Sequence, residues 1–207
     1  RLRAQSLDSE GLRDPSPPEI SVDHRDLTAP AAPIALSALV DGDAVTLSWD
    51  AVNADDLAGY RIERATSSGE FSSRADVAAP ATTFVDSNVS DGGYRYRVRA
   101  RDQAENLSFS SPIAPARVYA PTLQQPYTPA LPPFAEVVLQ SPVAGTVQGT
   151  HTSSAGNLPL TEFSISADQA LTRPVELNVG DNTLAFRVAD GLGNRSRAAT
   201  LQLHRAE

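Results

Sequence analysis

The chain has 207 residues, no cysteine and a formal net charge of −8. That length suits one large or two small domains. The missing thiols exclude disulfides, thiolate metal sites and a cysteine nucleophile. The acidic balance speaks against general nucleic-acid binding, which needs a basic footprint. Every basic residue is arginine, and methionine is absent throughout. A chain opening Arg1-Leu2-Arg3 therefore reads as a processed product or a piece of a larger protein. An abundance of Ala, Arg and Pro without Lys is the composition of a GC-rich bacterial genome. No run of about 20 apolar residues is present, so no helical membrane span is expected.

Residues 1–32 are punctuated by Pro15, Pro17, Pro18 and Pro30, with acids between them. Proline lacks the amide proton and turns the residue before it away from helix. The stretch reads as an extended N-terminal arm, in which Glu19 to Asp23 alternates like a strand. Such an arm is either a solvated leader or a segment that ties into a partner chain or an edge strand.

From residue 33 to 119 the pattern is short strands and turns. Val45, Leu47 and Trp49 alternate with Thr46 and Ser48; Tyr60 and Ile62 alternate with Arg61 and Glu63; Tyr94, Tyr96, Val98 and Ala100 continue the rhythm. Asp41-Gly42-Asp43 and Asp91-Gly92-Gly93 supply turns. Period-two alternation with turn residues every 8–12 positions predicts an antiparallel β-sandwich. The set Trp49, Gly59-Tyr60-Arg61-Ile62 and Tyr94-x-Tyr96-x-Val98-x-Ala100-x-Asp102 resembles a fibronectin type III domain of the bacterial kind. That resemblance implies Trp49 as core anchor, Tyr60 and Tyr96 facing inward, and Tyr94 as a corner tyrosine bonding to backbone upstream. Relatives bind cells through Arg-Gly-Asp in the loop before the last strand; this chain has no such tripeptide, and Arg74-Ala75-Asp76 lies elsewhere.

Residues 120–134 form a Pro-rich linker, semi-rigid and extended. A second sandwich is expected over 135–207, with apolar beats at Val137, Val147, Phe163, Val175, Phe186 and Leu201. The string from Val175 to Leu184, followed by Asp190-Gly191-Leu192-Gly193-Asn194, resembles bacterial Ig-like repeats of surface proteins and secreted enzymes. The expected fold is thus all-β: two tandem antiparallel sandwiches, fibronectin type III-like and then Ig-like. Phe186 is expected in the second core.

The chemistry-bearing residues point away from catalysis. His24, His151 and His204 stand at no metal-ligand spacing. No Gly-x-Ser-x-Gly elbow and no phosphate loop occur, and Asp55-Asp56 are adjacent in a turn. No cofactor is expected, and no enzyme. Asp102, Asn106 and Ser108 recur as Asp190, Asn194 and Ser196, with the same spacing. Their oxygens make Asp102, Asn106, Asp190 and Asn194 calcium candidates; turn chemistry is the simpler account. On the strand that carries Tyr94 and Tyr96, the residues Arg95, Arg97, Arg99 and Arg101 must share the opposite face, beside Arg61. That row is either a solvated face neutralised by Glu63, Glu70 and other acids, or a docking face for an acidic chain or an anionic glycan. The expected role is a non-enzymatic spacer and protein-docking module in an exported bacterial surface or filament assembly, extracellular or at the cell surface. The alternative is a glycan-binding accessory module of a secreted hydrolase or toxin, for which Tyr119, Tyr127 and Phe134 are the exposed-aromatic candidates.

Overall fold

The computed structural model describes residues 2–3, 9–11, 19–20, 25–125 and 133–206. A short antiparallel pair, β1 (Leu2–Arg3) with β2 (Glu19–Ile20), lies in the N-terminal segment. Residues 21–23 of the expected strand, and His24 after them, lie outside the described residues.

Seven strands then build the first sandwich: β3 (Ser37–Asp41), β4 (Ala44–Ser48), β5 (Leu57–Thr66), β6 (Ser72–Ala78), β7 (Thr83–Asp86), β8 (Gly92–Asp102) and β9 (Ala114–Val118). They divide into sheets ordered β3-β4-β7 and β6-β5-β8-β9. Alternation does the sorting, because successive side chains of a strand leave opposite faces. Val45, Leu47, Tyr60, Ile62, Tyr96, Val98 and Ala100 are buried between the sheets. Trp49 joins them edge-on to Tyr60, with ring centroids 5.3 Å apart. The Tyr60 hydroxyl, at the rim of that core, accepts the Val52 amide at 2.9 Å. The Tyr94 hydroxyl donates to the Ser90 carbonyl at 3.0 Å, pinning the turn ahead of β8.

The second sandwich repeats this plan: β10 (Thr122–Gln124), β11 (Phe134–Gln140), β12 (Gly145–Ser153), β13 (Gly156–Ile165), β14 (Ala170–Glu176), β15 (Gly180–Ala189) and β16 (Ala199–Arg205). Its sheets are β10-β11-β14 and β13-β12-β15-β16, the same order element for element. Phe186 lies in its core, with Val137, Leu139, Leu184 and Val188. Residues 122–124 differ from the expected linker. They pair with Val138 to Gln140 of β11 and so begin the second sandwich. Pro121 precedes this three-residue strand; proline is tolerated beside a short edge strand, where a ladder donor is not required. Residues 126–132 of the linker lie outside the described residues.

The two sandwiches touch through backbone. The turn after β15 lies against the end of β3, where Arg195 N donates to Val40 O at 2.8 Å and Gly42 N donates to Arg195 O at 3.1 Å. A parallel bridge, Asp41 to Arg195, results. The Arg197 amide donates to Tyr119 O at 2.8 Å, close to the chain crossing between domains.

Candidate functional site

The repeated Asp/Asn/Ser trio closes the corner after β8 and again after β15. In the first corner, Asn106 donates its backbone N–H to Asp102 Oδ1 at 2.8 Å and its side-chain amide to Asp102 Oδ2 at 2.9 Å. In the second, Asn194 donates to Asp190 Oδ1 at 3.0 Å and Oδ2 at 2.9 Å, and Leu192 N adds a bond at 2.8 Å. The left-handed residue each corner needs is Glu105 in one and Gly193 in the other. The serines act two residues on. Ser108 Oγ accepts the Ala100 amide at 2.8 Å, and Ser196 Oγ accepts the Val188 amide at 2.9 Å. A serine hydroxyl thereby stands in for a missing strand partner. Both oxygens of each aspartate receive N–H donors from the corner itself. Burial alone would lift the Asp190 carboxyl, yet the Asn194 amide and the backbone donors hold it below its ordinary value.

Two features separate the corners. Asn194 Oδ1 accepts the Val40 amide at 2.9 Å, so the second corner also holds the domain junction. At the first corner, Asp26 and Asp56 bring one carboxylate oxygen each within 4.8 Å of Asp102. Asp102 is fully buried and already engaged by Asn106, which leaves Asp26 and Asp56 as its accessible oxygen donors.

The arginine row lies on the outer face of β5 and β8. Arg61 is bidentate to Asp76, Nε to Oδ1 at 2.9 Å and Nη2 to Oδ2 at 3.1 Å. That bond raises the Arg61 guanidinium and lowers the Asp76 carboxyl from their ordinary values. Arg97 donates to Glu63 and Arg101 to Glu105. Arg95 and Arg99 bond to carbonyls instead: Arg95 to Thr66 and Gly69, and Arg99 Nε to Ser108 O at 2.7 Å. Phe71 lies under the guanidinium groups of Arg95 and Arg97, at 5.1 and 4.2 Å from its ring centroid. The row is therefore partly neutralised; among the described residues no carboxylate pairs with Arg95 or Arg99.

A second charged cluster was not visible in sequence. Asp86, fully buried at the end of β7, accepts Arg64 Nη1 at 2.8 Å, Arg74 Nε at 2.8 Å and the Tyr96 hydroxyl at 2.9 Å. Burial, with the bond to Asp86, pushes the Tyr96 phenol well above its ordinary value. Arg74 reaches Asp86 because a bulge against Ile62 and Glu63 places an additional residue in β6. Strict alternation hides such a residue.

Of the three aromatic candidates for the glycan-binding alternative, two fall among the described residues. Tyr119 is half-buried against the second core, Phe134 is exposed at the start of β11, and Tyr127 lies outside the described residues. A groove between β13 and β14 is lined by Leu158, Leu160, Phe163, Arg173 and His151. Arg173 covers the Phe163 ring at 4.9 Å. His151 Nε2 is held by Asn182 Oδ1 at 2.7 Å; His204 Nδ1, on β16 and away from this groove, is held by Asp181 Oδ1 at 2.7 Å. Among the described residues no helix is long and apolar enough to cross a membrane.

No family model matches the chain. A stretch of 90 residues is 37% identical to an amylopullulanase of Thermoanaerobacterium saccharolyticum, covering 43% of this chain and 7% of that protein. The amylopullulanase of Thermoanaerobacterium thermosulfurigenes matches at 37% over 90 residues, which is 5% of its length. The chain thus spans a small fraction of the curated relatives it matches. Among solved structures, a fibronectin type III-like protein from Clostridium thermocellum is 28% identical, with a TM-score of 0.37 over 42% of this chain and 92% of its own. A two-domain fibronectin type III segment of chicken tenascin is 15% identical, with a TM-score of 0.41 over 83% and 98%.

Proposed function

We propose that this all-β tandem of two antiparallel sandwiches, fibronectin type III-like and then Ig-like, is a non-catalytic module that sets the distance and angle between other parts of an exported bacterial protein. The observation that carries the reading is the backbone lock between Val40, Gly42 and Arg195, completed by Asn194 Oδ1 on the Val40 amide. A flexible tether needs no such lock, and default domain pairs move relative to one another unless their interface is built to prevent it. The side chains that the sequence singles out support the same reading: Asp102, Asp190, Ser108, Ser196 and His151 are engaged in turns and ladders.

A second reading has its own support. The amylopullulanases that share 37% identity over 90 residues are named for polysaccharide hydrolysis. On that basis the pair serves as an accessory module beside a catalytic domain of a secreted hydrolase, and an extracellular location follows for both readings. Nitrogen-15 relaxation of the chain tests the spacer. One rotational correlation time shared by both sandwiches is expected. Two distinct values would remove the rigid-spacer reading, and saturable binding of starch or pullulan fragments would favour the accessory one.

A further inference from the structure

The face of β8 holds an imbalance that the fold does not use. Arg61, Arg97 and Arg101 each have a carboxylate, in Asp76, Glu63 and Glu105. Arg99 has one bond, from Nε to Ser108 O, and Arg95 has two carbonyls. Like charges that share a sheet face repel, and the carbonyl bonds of Arg95 and Arg99 leave their charge unbalanced by a carboxylate among the described residues. The chain as a whole carries −8, which makes a locally basic face the exception on its surface. Beside Arg99, the next residue after its carbonyl partner is Phe109, which is 90% exposed. Ile113, in the same segment, is 50% exposed. An aromatic ring held in water next to a preorganised guanidinium is the composition of an interface anchor, since binding hot spots are enriched in aromatics and Arg. Phe71, stacked between Arg95 and Arg97, holds the planes of the row in place.

We propose that this face, centred on Arg95, Arg99 and Phe109, docks an extended acidic polypeptide segment that carries an apolar side chain. The spacing selects a polypeptide. Arg95 and Arg99 stand four residues apart on β8, about 13 Å at the strand rise, and carboxylates four residues apart on an extended peptide recur at the same interval. Each carboxylate can take a charge-assisted bond from the Nη groups that Arg95 and Arg99 leave over, since their Nε atoms already donate to Thr66 O and Ser108 O. The apolar side chain of the partner covers Phe109. This goes beyond the spacer role and does not depend on it.

Fluorescence anisotropy with labelled poly-L-glutamate, a random Glu/Tyr copolymer and polygalacturonate tests the idea on the intact chain at low and physiological salt. The copolymer is expected to bind about tenfold more tightly than poly-L-glutamate, because only it can cover Phe109. Arg99→Glu should weaken both polypeptides by about tenfold or more. Phe109→Ala should weaken the copolymer alone; at 90% exposure this substitution leaves the core untouched, so a change cannot come from unfolding. Arg173→Glu, on the other sandwich, should change neither. Absence of saturable copolymer binding at low salt, or binding indifferent to both Arg99→Glu and Phe109→Ala, overturns the proposal. Polygalacturonate binding at least as tightly as the copolymer, and lost in Arg99→Glu, overturns it in favour of an anionic glycan.

Discussion

Asp86 sits where no water reaches and still carries two arginines and a tyrosine. A buried carboxylate stays in place only if its lone pairs are filled, and removing one partner leaves the others uncompensated. Arg64 and Arg74 keep about a third of their side-chain surface in solvent (32% and 40%), so they can turn outward. The Tyr96 hydroxyl cannot. Tyr96→Phe should therefore cost about 1.5–3 kcal/mol, one bond to a charged acceptor. Asp86→Asn should cost about 2–4 kcal/mol, because its amide presents donors to donors; urea unfolding of both variants checks the order. Glycine at position 59 marks another fixed point: a Cβ there would stand 2.1 Å from Val77 O, a backbone atom that cannot swing away. Gly59→Ala should destabilise by more than about 2 kcal/mol in the same assay. Acid dependence follows from Asp76 and Asp190, both held below the ordinary carboxylate range. A folded pKa below the unfolded one stabilises above about pH 4 and is lost as pH falls through the folded value. The melting temperature should accordingly decline below about pH 4. The deficit of Asp190→Asn relative to the parent chain should shrink over the same interval, and a deficit constant with pH would refute the assignment.

At the scale of the element, the corner shows what alternation and spacing can and cannot reveal. Tyr94, Tyr96, Val98 and Ala100 announce β8 because one face packs on the core, Tyr96, Val98 and Ala100 fully and Tyr94 in part. The Asp/Asn/Ser spacing announces a corner because each residue bonds locally, Asn back to Asp and Ser across to a ladder amide. Two things stayed hidden for a common reason. The bulge that sends Arg74 to Asp86, and the pairing of Thr122 to Gln124 with β11, both depend on the register a strand takes against its neighbour, which the pattern of either strand alone does not carry. Proline density around residue 122 describes backbone stiffness and not what lies beside it. The serines give the element its test. Ser108→Ala and Ser196→Ala each leave a buried amide, Ala100 N or Val188 N, with the backbone ladder interrupted at that point. Each should cost about 1–3 kcal/mol, and hydrogen exchange at Ala100 and Val188 should accelerate selectively. Equal protection in parent and variant would mean that another acceptor replaces the hydroxyl.

Across the whole molecule, the two corners are the same device given different work. Asn106 closes its own turn and touches the entering chain at Asp26 O; Asn194 closes its turn and accepts an amide from the other sandwich. Nothing in the spacing distinguished them, since the difference lies in what each corner faces. The junction also carries two ion pairs, Arg197 with Asp91 at 3.1 Å and Arg187 with Asp41 at 3.7 Å, about half exposed on both sides. Exposed pairs of this kind contribute about 0–1 kcal/mol and fade as salt rises. The backbone bonds of Val40, Gly42 and Arg195 do not. If these bonds hold the angle between sandwiches, raising salt to about 1 M, where the screening length falls to about 3 Å, should leave the inter-domain residual dipolar couplings unchanged, and Asp91→Asn should do the same. Asn194→Ala should alter them, because it takes the acceptor from Val40 N and loosens the corner that presents Arg195. Couplings that collapse in salt while surviving Asn194→Ala would assign the junction to its charges. The rigid angle would then hold only at low ionic strength, a poor property in a spacer.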